Sequence, residues 1–540
     1  MYLCYKTPAA QNFDGWQHRA IPLGNGTIGA KVFGGVQREM IQFNEKTLFS
    51  GDSTRKGSFQ NFGELFLTFN EPVPCSENTY LRDLDFETGS AMVACQKGLD
   101  GHTRHYFISA KDNVLAGKIE STGDTLLNFT LSLQSEQNGE VTYDGAYAVM
   151  KGTVNANNGA GNENGEDKNS LEYICVVKVI PDDGEMTASE EGITVKETFG
   201  ARFIMSCCTS LSGENAVEKC RENVDRAADM TFPQLFRRHL DGYKSEMGAA
   251  VLNICQSDEN LTTDSQLKIY RKGRGRQDIE ALLFEMGKYI IYTSVGTLPM
   301  TECGLWNSRN IQTDGEILFG SDKIKTAGQT AKKLSLKRQA EACEAFAAAH
   351  ENEKRYNIFG YEEAAPVVEK KKPSAFSKLF AKNTGEEDVA YILERIGELS
   401  LKGGKENEIA KLISQAASAV NDTLFMNDIA DNIAFTDTVI SLLIREEADK
   451  TIKLLPSLPP HWDIGSLKCV RIADAEIGFE WGSGKFRKGT LKALEDGEIR
   501  LYAHGKFVGV SDEDGNDVEE KFENGTVIFS AVKGKTYNLY

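Results

Sequence analysis

The chain has 540 residues, of which 40% are hydrophobic and 26% are charged, and its formal net charge is −18 at pH 7. This length suits roughly two to four domains with sizeable cores, and the composition is typical of a globular protein. The acidic balance argues against nucleic acid and against anionic membrane surfaces as partners, since both need a basic footprint on the protein.

Targeting and metal-binding signals are missing from the sequence. We find no uncharged apolar span of about 18 residues and no basic segment followed by an apolar run at the N-terminus, so a cytoplasmic location is predicted. The eleven cysteines include no CxxC pair, which favours buried reduced thiols over a disulfide framework. His102 and His105 lie in a strand-like segment, where residues three apart point to opposite faces. No metal site and no cofactor are predicted.

Residues 1–245 are predicted to form a large antiparallel β-sandwich. Glycine-rich turns separate short alternating or apolar runs such as GELFLTF (63–69) and RFIMSCC (202–208). The polar stretch 154–169 is predicted to be a loop; a calcium loop is the alternative, although its carboxylates lack EF-hand spacing. The run GNGTIG (24–29) matches G-x-G-x-x-G, but without a βαβ context its glycines indicate hairpin turns rather than a phosphate loop.

Helical periodicity dominates the middle of the chain. Residues 230–247 predict a helix that leaves the sandwich, 246–276 are predicted to be a linker, and 277–453 a helical domain whose clearest helix is 277–295. Further helices are predicted at 388–401, 406–420 and 434–444. Strand patterns return at 454 and predict a small C-terminal β-sandwich that reaches residue 540.

The stretch GTLPMTECGLWNSRN (296–310) lies where the clearest helix ends. Gly296 and Pro299 break the helix, and Trp306 then stands beside Asn307 and Asn310. A loop at such a junction, with an exposed aromatic ring and several amides, could bind a sugar or a similar polar ligand. The alternative is a helix-terminating turn whose tryptophan packs into a domain interface.

Several stretches resemble glycoside hydrolase family 95, and they occur in the order of that family. They are LGNGTIGAKVFGGVQREMIQFNEKTLFSGD (23–52), EALLFEMGKYIIYTSVGTLPMTECGLWN (280–307), IADNIAFTDTVISLLI (429–444) and LLPSLPPHW (454–462). The best-known members of the family are inverting α-L-fucosidases. The resemblance implies a β-supersandwich, an (α/α)6 barrel and a C-terminal β domain that together act on a glycan. It also implies a glutamate as general acid, with an aspartate and two asparagines that activate the attacking water.

The middle of the chain departs from the family pattern. Only residues 308–428 separate the second motif from the third, whereas a twelve-helix barrel needs on the order of 200 residues, so a reduced (α/α) barrel-like domain is predicted. The nearest match to the family's Asn-x-Asn is Asn310-Ile311-Gln312. Ala430 stands at the aspartate position and Asp431 follows it, and one helical step turns a side chain by about 100°. A loop distortion is the alternative that would restore its direction.

The resemblance therefore nominates six site residues in two roles. The catalytic candidates are Asp431, Asn310 and Gln312, and the substrate-binding candidates are Trp306, Asn307 and Asn432. One hypothesis is a fucosidase-type hydrolase of an oligosaccharide or glycan; another is a non-catalytic, carbohydrate-binding or scaffold descendant, which the charged helices of the shortened region favour. A third is a degraded or incompletely assembled gene product. Neither the general acid nor the oligomeric state follows from the sequence.

Overall fold

A computed structural model describes most of the chain. The described residues are 1–52, 55–71, 75–154, 171–212, 215–247, 249–254, 261–274, 277–294, 305–307, 321–349, 388–426, 428–503 and 509–540. They form two compact units, the first made of Met1–Ser245, Tyr292–Ile324 and Ala345–Glu363, and the second of Glu246–Ile291, Lys325–Glu344 and Ala364–Tyr540.

The first unit contains a nine-stranded antiparallel sheet. In spatial order its strands are β1 (Tyr2–Tyr5), β8 (Tyr80–Asp85), β9 (Ser90–Lys97), β10 (Asp100–Ser109), β11 (Val114–Thr122), β18 (Gly200–Thr209), β15 (Leu171–Pro181), β14 (Tyr147–Val154) and β13 (Glu140–Asp144). Alternate residues of β8 are buried, as expected for a strand with one face on a core.

A seven-stranded antiparallel sheet packs against the nine-stranded one. Its spatial order is β16 (Glu185–Ser189), β17 (Gly192–Thr198), β12 (Leu127–Ser135), β7 (Gly63–Phe69), β4 (Arg38–Glu45), β3 (Ile28–Val32) and β2 (Ile21–Gly24). A hairpin of β5 (Phe49–Asp52) and β6 (Arg55–Phe59) stands apart. The ring of Phe69 stacks on that of His102 at 4.6 Å between centroids, so the sheets meet face to face. The predicted sandwich is confirmed.

An ion pair lies between the two sheets. The Nη1 of Arg104 donates to Oε2 of Glu39 at 2.9 Å, and both side chains are fully buried. The other Glu39 oxygen accepts the backbone N–H groups of Gly34 and Gly35 at 2.6 and 3.2 Å. Burial alone would lower the pKa of Arg104, but the Glu39 carboxylate outweighs it and raises that pKa, so the guanidinium keeps its charge.

Helices cover the outer face of the nine-stranded sheet. These helices are α2 (Ala216–Ala228) and α3 (Phe232–Met247), and a 3₁₀ turn at Ser210–Ser212 precedes them. The first unit also has α1 (Phe13–His18), whose Trp16 donates to Gln42 of the seven-stranded sheet. Cys220 and Val224 of α2 and Leu235 of α3 pack on outward residues of the sheet, including Phe107. The His105 ring meets Phe236 of α3 while His102 faces the core, so the prediction that these two histidines point apart is confirmed.

The middle of the chain is helical, as predicted. Its helices are α4 (Thr263–Arg271), α5 (Asp278–Ser294), α6 (Ser321–Lys333), α7 (Lys337–Ala349), α8 (Val389–Lys402), α9 (Glu406–Ser418) and α10 (Ile429–Leu443). Helices α5 and α10 approach closely, because a Cβ on Gly287 would lie 2.1 Å from Oγ1 of Thr436. None of the helices in the described ranges is long and apolar enough to span a membrane.

Two sheets make up the C-terminal β region. The six-stranded one follows the order β19 (Val251–Asn253), β22 (Ile464–Ile472), β23 (Ala475–Gly482), β24 (Lys485–Ala493), β29 (Thr536–Leu539) and β26 (Val510–Asp512). The five-stranded one follows β20 (Ile444–Glu446), β21 (Thr451–Leu454), β25 (Gly497–Ala503), β28 (Thr526–Ala531) and β27 (Glu520–Glu523). The predicted order of large β, helical and small β regions is confirmed. Strand β19 and helix α4 both fall within 246–276, and the exact domain boundaries stay a prediction.

The prediction of reduced thiols is wrong for one pair of cysteines. Cys75 and Cys95 form a disulfide that ties β9 to the segment before β8. The free cysteines Cys4, Cys175, Cys207, Cys208, Cys220 and Cys343 are buried, and Cys469 is half-buried. CxxC spacing could not find the disulfide because its partners are 20 residues apart and meet only in the folded sheet.

Candidate functional site

A row of polar side chains crosses the outer face of the seven-stranded sheet. Lys31 of β3 stands opposite Gln42 of β4, Gln42 opposite Glu64 of β7, and Glu64 opposite Gln134 of β12. Lys31 and Glu64 are only 3% and 8% exposed. Polar groups that are buried in this way need hydrogen-bond partners within the protein.

Two glycines let residues 305–307 lie on this face. Gly24 and Gly29 are paired across β2 and β3, and a Cβ on Gly29 would lie 2.7 Å from Cβ of Leu305 and 2.8 Å from its carbonyl oxygen. Gly26 lies in the intervening turn at φ +88°, a conformation that glycine adopts without strain. The hairpin interpretation of GNGTIG is therefore confirmed. Gly24 and Gly29 also leave room for Leu305, which lies almost 280 residues further along the chain, and their spacing in the sequence could not reveal this contact.

Replacing Gly29 by alanine should destabilise this contact. The added methyl group would overlap Leu305 backbone and side-chain atoms, so the free energy of unfolding should fall by about 1–3 kcal/mol. Urea unfolding followed by tryptophan fluorescence measures the loss. Gly497→Ala is the matched control, because a Cβ there meets nothing within 4 Å. Equal midpoints for the two variants would contradict the close contact.

Trp306 is buried rather than exposed, which corrects the exposure expected from the sequence. It is 2% exposed, and its indole N–H donates to the carbonyls of Leu23 and Ala30 at 3.0 and 3.1 Å. The Nζ of Lys31 lies 5.5 Å from its ring centroid and 5.3 Å from that of Trp16. Burial lowers the pKa of Lys31 to about 7, so this lysine is partly neutral near neutral pH. The ring anchors the segment to the sheet, and its role as a sugar platform stays a prediction.

Asn307 joins the polar row through its backbone and its side chain. Its N–H donates to Oδ1 of Asn44 at 3.0 Å, and its carbonyl accepts from Nε2 of Gln42 at 2.8 Å. Its side-chain amide donates to the carbonyl of Phe59 at 2.7 Å. The Asn307 side-chain amide, which the sequence predicted to bind a ligand, is therefore hydrogen-bonded to the protein itself. Asn310 and Gln312 lie outside the described residues.

Glu64 is the most perturbed carboxyl group of the row. Asn61 donates to its Oε1 at 3.1 Å, while its Oε2 is buried without a hydrogen-bond donor. Burial raises the pKa of Glu64 to about 8, and the nearby negative charge of Glu136 adds to the effect. The side chain is therefore largely protonated at neutral pH. Sequence reasoning missed this row, although Glu64 stands out in the largely apolar run GELFLTF and could have signalled it.

The second unit holds the other two predicted site residues at the start of α10. Asp428 caps the helix by accepting the backbone N–H of Ala430 at 2.8 Å. Asp431 is half-buried in the first turn, where a negative charge is favourable. Asn432 is fully buried, donates to the Leu424 carbonyl at 2.8 Å and accepts the Met426 N–H at 3.0 Å. The region is helical, so Asp431 points about 100° away from the direction of residue 430.

A buried glutamate in the same unit has a structural role. Glu280 of α5 accepts hydrogen bonds from the Tyr270 hydroxyl, from His461 Nε2 at 2.9 Å and from Trp462 Nε1 at 2.5 Å. These donors come from α4 and from the motif LLPSLPPHW, so Glu280 joins that motif to the helical region. A carboxylate with both oxygens occupied is poorly placed to serve as the missing acid.

Three parts of the chain match models of known protein families. Residues 231–314 match "Glycosyl hydrolase family 95 catalytic domain" and 448–539 match "Glycoside hydrolase family 95, C-terminal domain". Residues 3–58 and 52–213 match "Glycosyl hydrolase family 65, N-terminal domain". The middle and C-terminal parts of the chain are thus similar to glycoside hydrolase family 95, and the resemblance drawn from its motifs is confirmed.

The curated relatives are distant and longer. Alpha-L-fucosidase 2 of Arabidopsis thaliana is 25% identical over 54% of this chain and 42% of its own length. A protein of Aspergillus niger described as an alpha-fucosidase A is 23% identical over 55% of this chain and 44% of its own. The chain therefore spans less than half of the curated relatives it matches. A solved human-microbiome protein described as a kojibiose phosphorylase is 10% identical over 96% of both chains, with a TM-score of 0.47.

Proposed function

We propose that this protein acts on α-L-fucosyl glycans and that Asp431 is the carboxylate that activates the attacking water. The observation that carries the proposal is the partial exposure of Asp431, since its neighbour Asn432 is buried and hydrogen-bonded to backbone. The named relatives are fucosidases, which supports the substrate class. An inverting reaction needs a base about 6.5–9.5 Å from the acid with water between them. Asn310 and Gln312 are proposed to orient that water.

Release of free fucose from an α1,2-linked fucosyl oligosaccharide tests the proposal. Asp431→Asn should lower the rate by at least about a hundredfold, because it removes a general base while keeping the shape of the side chain. Asp437→Asn is the matched control on the same helix, where Asp437 accepts from Lys333 at 2.6 Å and Thr330 at 3.1 Å. Equal rates for both variants would remove Asp431 from the mechanism.

A non-catalytic, carbohydrate-binding descendant of the family is the second candidate. The observation that speaks against catalysis is that Trp306, Asn307 and Asn432 each donate a side-chain N–H to a carbonyl of the protein itself. No fucose release by a chain that melts cooperatively would support this candidate, and fucose release that Asp431→Asn abolishes would exclude it. The glycan partner is common to both candidates.

The cytoplasmic location remains a proposal that rests on sequence composition. The Cys75–Cys95 disulfide would need oxidising conditions to persist. Thiol titration of protein purified from the native source under alkylating conditions tests the location. Two thiols that react only after reduction would contradict a reducing compartment.

A further inference from the structure

The outer face of the six-stranded C-terminal sheet carries an open trough of about 670 Å³. This volume is within the range of about 300–1,000 Å³ that ligand sites occupy. The trough crosses β22, β23, β24 and β29, so it is about 14 Å long at the usual spacing between strands. None of its lining residues belongs to the predicted catalytic set.

Short side chains form the floor of the trough. Gly478 stands opposite Thr490, and Thr490 opposite Asn538, in a line across three strands. The Asn538 amide donates to the Asp512 carbonyl at 3.0 Å, which fixes the orientation of the side chain. Thr490 is exposed. The floor thus presents hydroxyl, amide and backbone groups that can hydrogen-bond a ligand.

Paired charges form the two walls. On one side the side chain of Lys488 lies 3.4 Å from that of Glu480. On the other side Lys492 is paired with Glu476 across the strands, and Arg471 lies 3.4 Å from the Glu476 carboxylate. The lining also includes Lys468 of β22, so three lysines and two glutamates line the trough, and it does not present one sign of charge. This pattern suits a neutral polar ligand better than an anion or a cation, which a one-signed wall would attract.

An aromatic ring stands at one end of the trough. Tyr540 is 39% exposed, and its backbone exchanges hydrogen bonds with Gly509 at 2.9 and 3.2 Å. A Cβ on Gly509 would lie 3.4 Å from the Tyr540 ring, so the ring rests on this glycine. A fixed, half-exposed tyrosine offers an apolar face for a sugar ring and a hydroxyl for its edge.

We propose that this trough binds a short neutral oligosaccharide, at a site separate from the one that holds Asp431. The polar floor would form hydrogen bonds with sugar hydroxyls, and the charged side chains of the walls would accept or donate further hydrogen bonds. The ring of Tyr540 would stack on a sugar ring. The proposal does not rest on catalysis, since binding here requires none of the residues assigned to hydrolysis.

Binding of the neutral trisaccharide fucosyllactose to the full chain tests the proposal. Isothermal titration in the Asp431→Asn background avoids consumption of the probe. Gly478→Val should weaken binding at least tenfold, because the new side chain fills the floor. Its Cβ would meet surrounding atoms at 3.4 Å or more, so the fold should tolerate it. Gly497→Val is the control on the other sheet, where a Cβ meets nothing within 4 Å, and it should bind as the parent does.

Two results would overturn the proposal. One is equal affinity of the Gly478→Val and Gly497→Val variants for the probe. The other is failure of the parent chain to bind fucosyllactose, cellotriose and chitotriose at any concentration tested. Should Gly478→Val fail to fold, Thr490→Leu fills the same floor from an exposed position, and undiminished binding by that variant would overturn the proposal equally. Failure of fucose release with intact binding would reject the catalytic proposal alone.

Discussion

Replacing Arg104 by methionine should lower the free energy of unfolding of the N-terminal sandwich by about 3–5 kcal/mol. The change leaves the Glu39 carboxylate fully buried without its guanidinium partner, and an unpaired buried charge is costly. Hydrogen exchange of the full chain, read by mass spectrometry on peptides from β4 and β10, measures the local opening free energy.

A second variant separates lost charge pairing from lost packing. The double change Glu39→Gln with Arg104→Met removes both charges, and a glutamine oxygen can still accept the Gly34 and Gly35 N–H groups. Protection of β4 and β10 should therefore recover part of the loss. A double variant no better protected than Arg104→Met would show that the ion pair is not the source of the effect.

Glu64→Gln should remove much of the loss of stability that occurs as the pH rises from 5 to 8. The pKa of Glu64 is raised from 4.5 to about 8 in the folded state, so folded protein holds a proton that unfolded protein has released. The stability from this proton is complete below pH 4.5 and is lost as the pH rises through 8. At about 1.4 kcal/mol for each unit, the full loss is on the order of 4–5 kcal/mol.

Melting temperatures of parent and variant at pH 5, 6, 7 and 8 measure this effect. The difference in favour of Glu64→Gln should grow with pH, because glutamine stays neutral throughout. Glu172→Gln is the control, since Glu172 is exposed on β15 and should leave the pH profile of the parent unchanged. Parallel profiles for parent and Glu64→Gln would mean that Glu64 is already ionised in the folded protein at pH 5.

Local patterns were enough to predict the secondary structure and the order of regions. The strand runs GELFLTF and RFIMSCC, the helical pattern of 277–295 and the turn of GNGTIG each depend on neighbours within a few residues. The structure agrees with them: the two runs lie in β7 and β18, residues 278–294 form a helix that is buried all round, and the glycine run forms a hairpin turn. The motif at 280–307 likewise identified the helix and the tryptophan segment that follows it.

The candidate site was harder to predict because its contacts are long-range. Whether Trp306 is exposed depends on Gly24 and Gly29, and whether Glu64 is protonated depends on its register with Gln42 and on the turn at Glu136. Single-sequence periodicity contains no information about which distant segment covers a strand face. The one-step offset of Asp431 from residue 430 did follow from the sequence, because it needed only a helical backbone there.

Strand β19 is synthesised long before the strand with which it pairs. It pairs with β22, whose residues Ser466 to Lys468 follow it by more than 200 positions, so the six-stranded sheet cannot be completed when β19 leaves the ribosome. At about 5–20 residues per second, β19 waits on the order of 10–40 s with its backbone groups unpaired. Because β19 has only three residues, it exposes only a short unpaired strand edge to other chains during that interval.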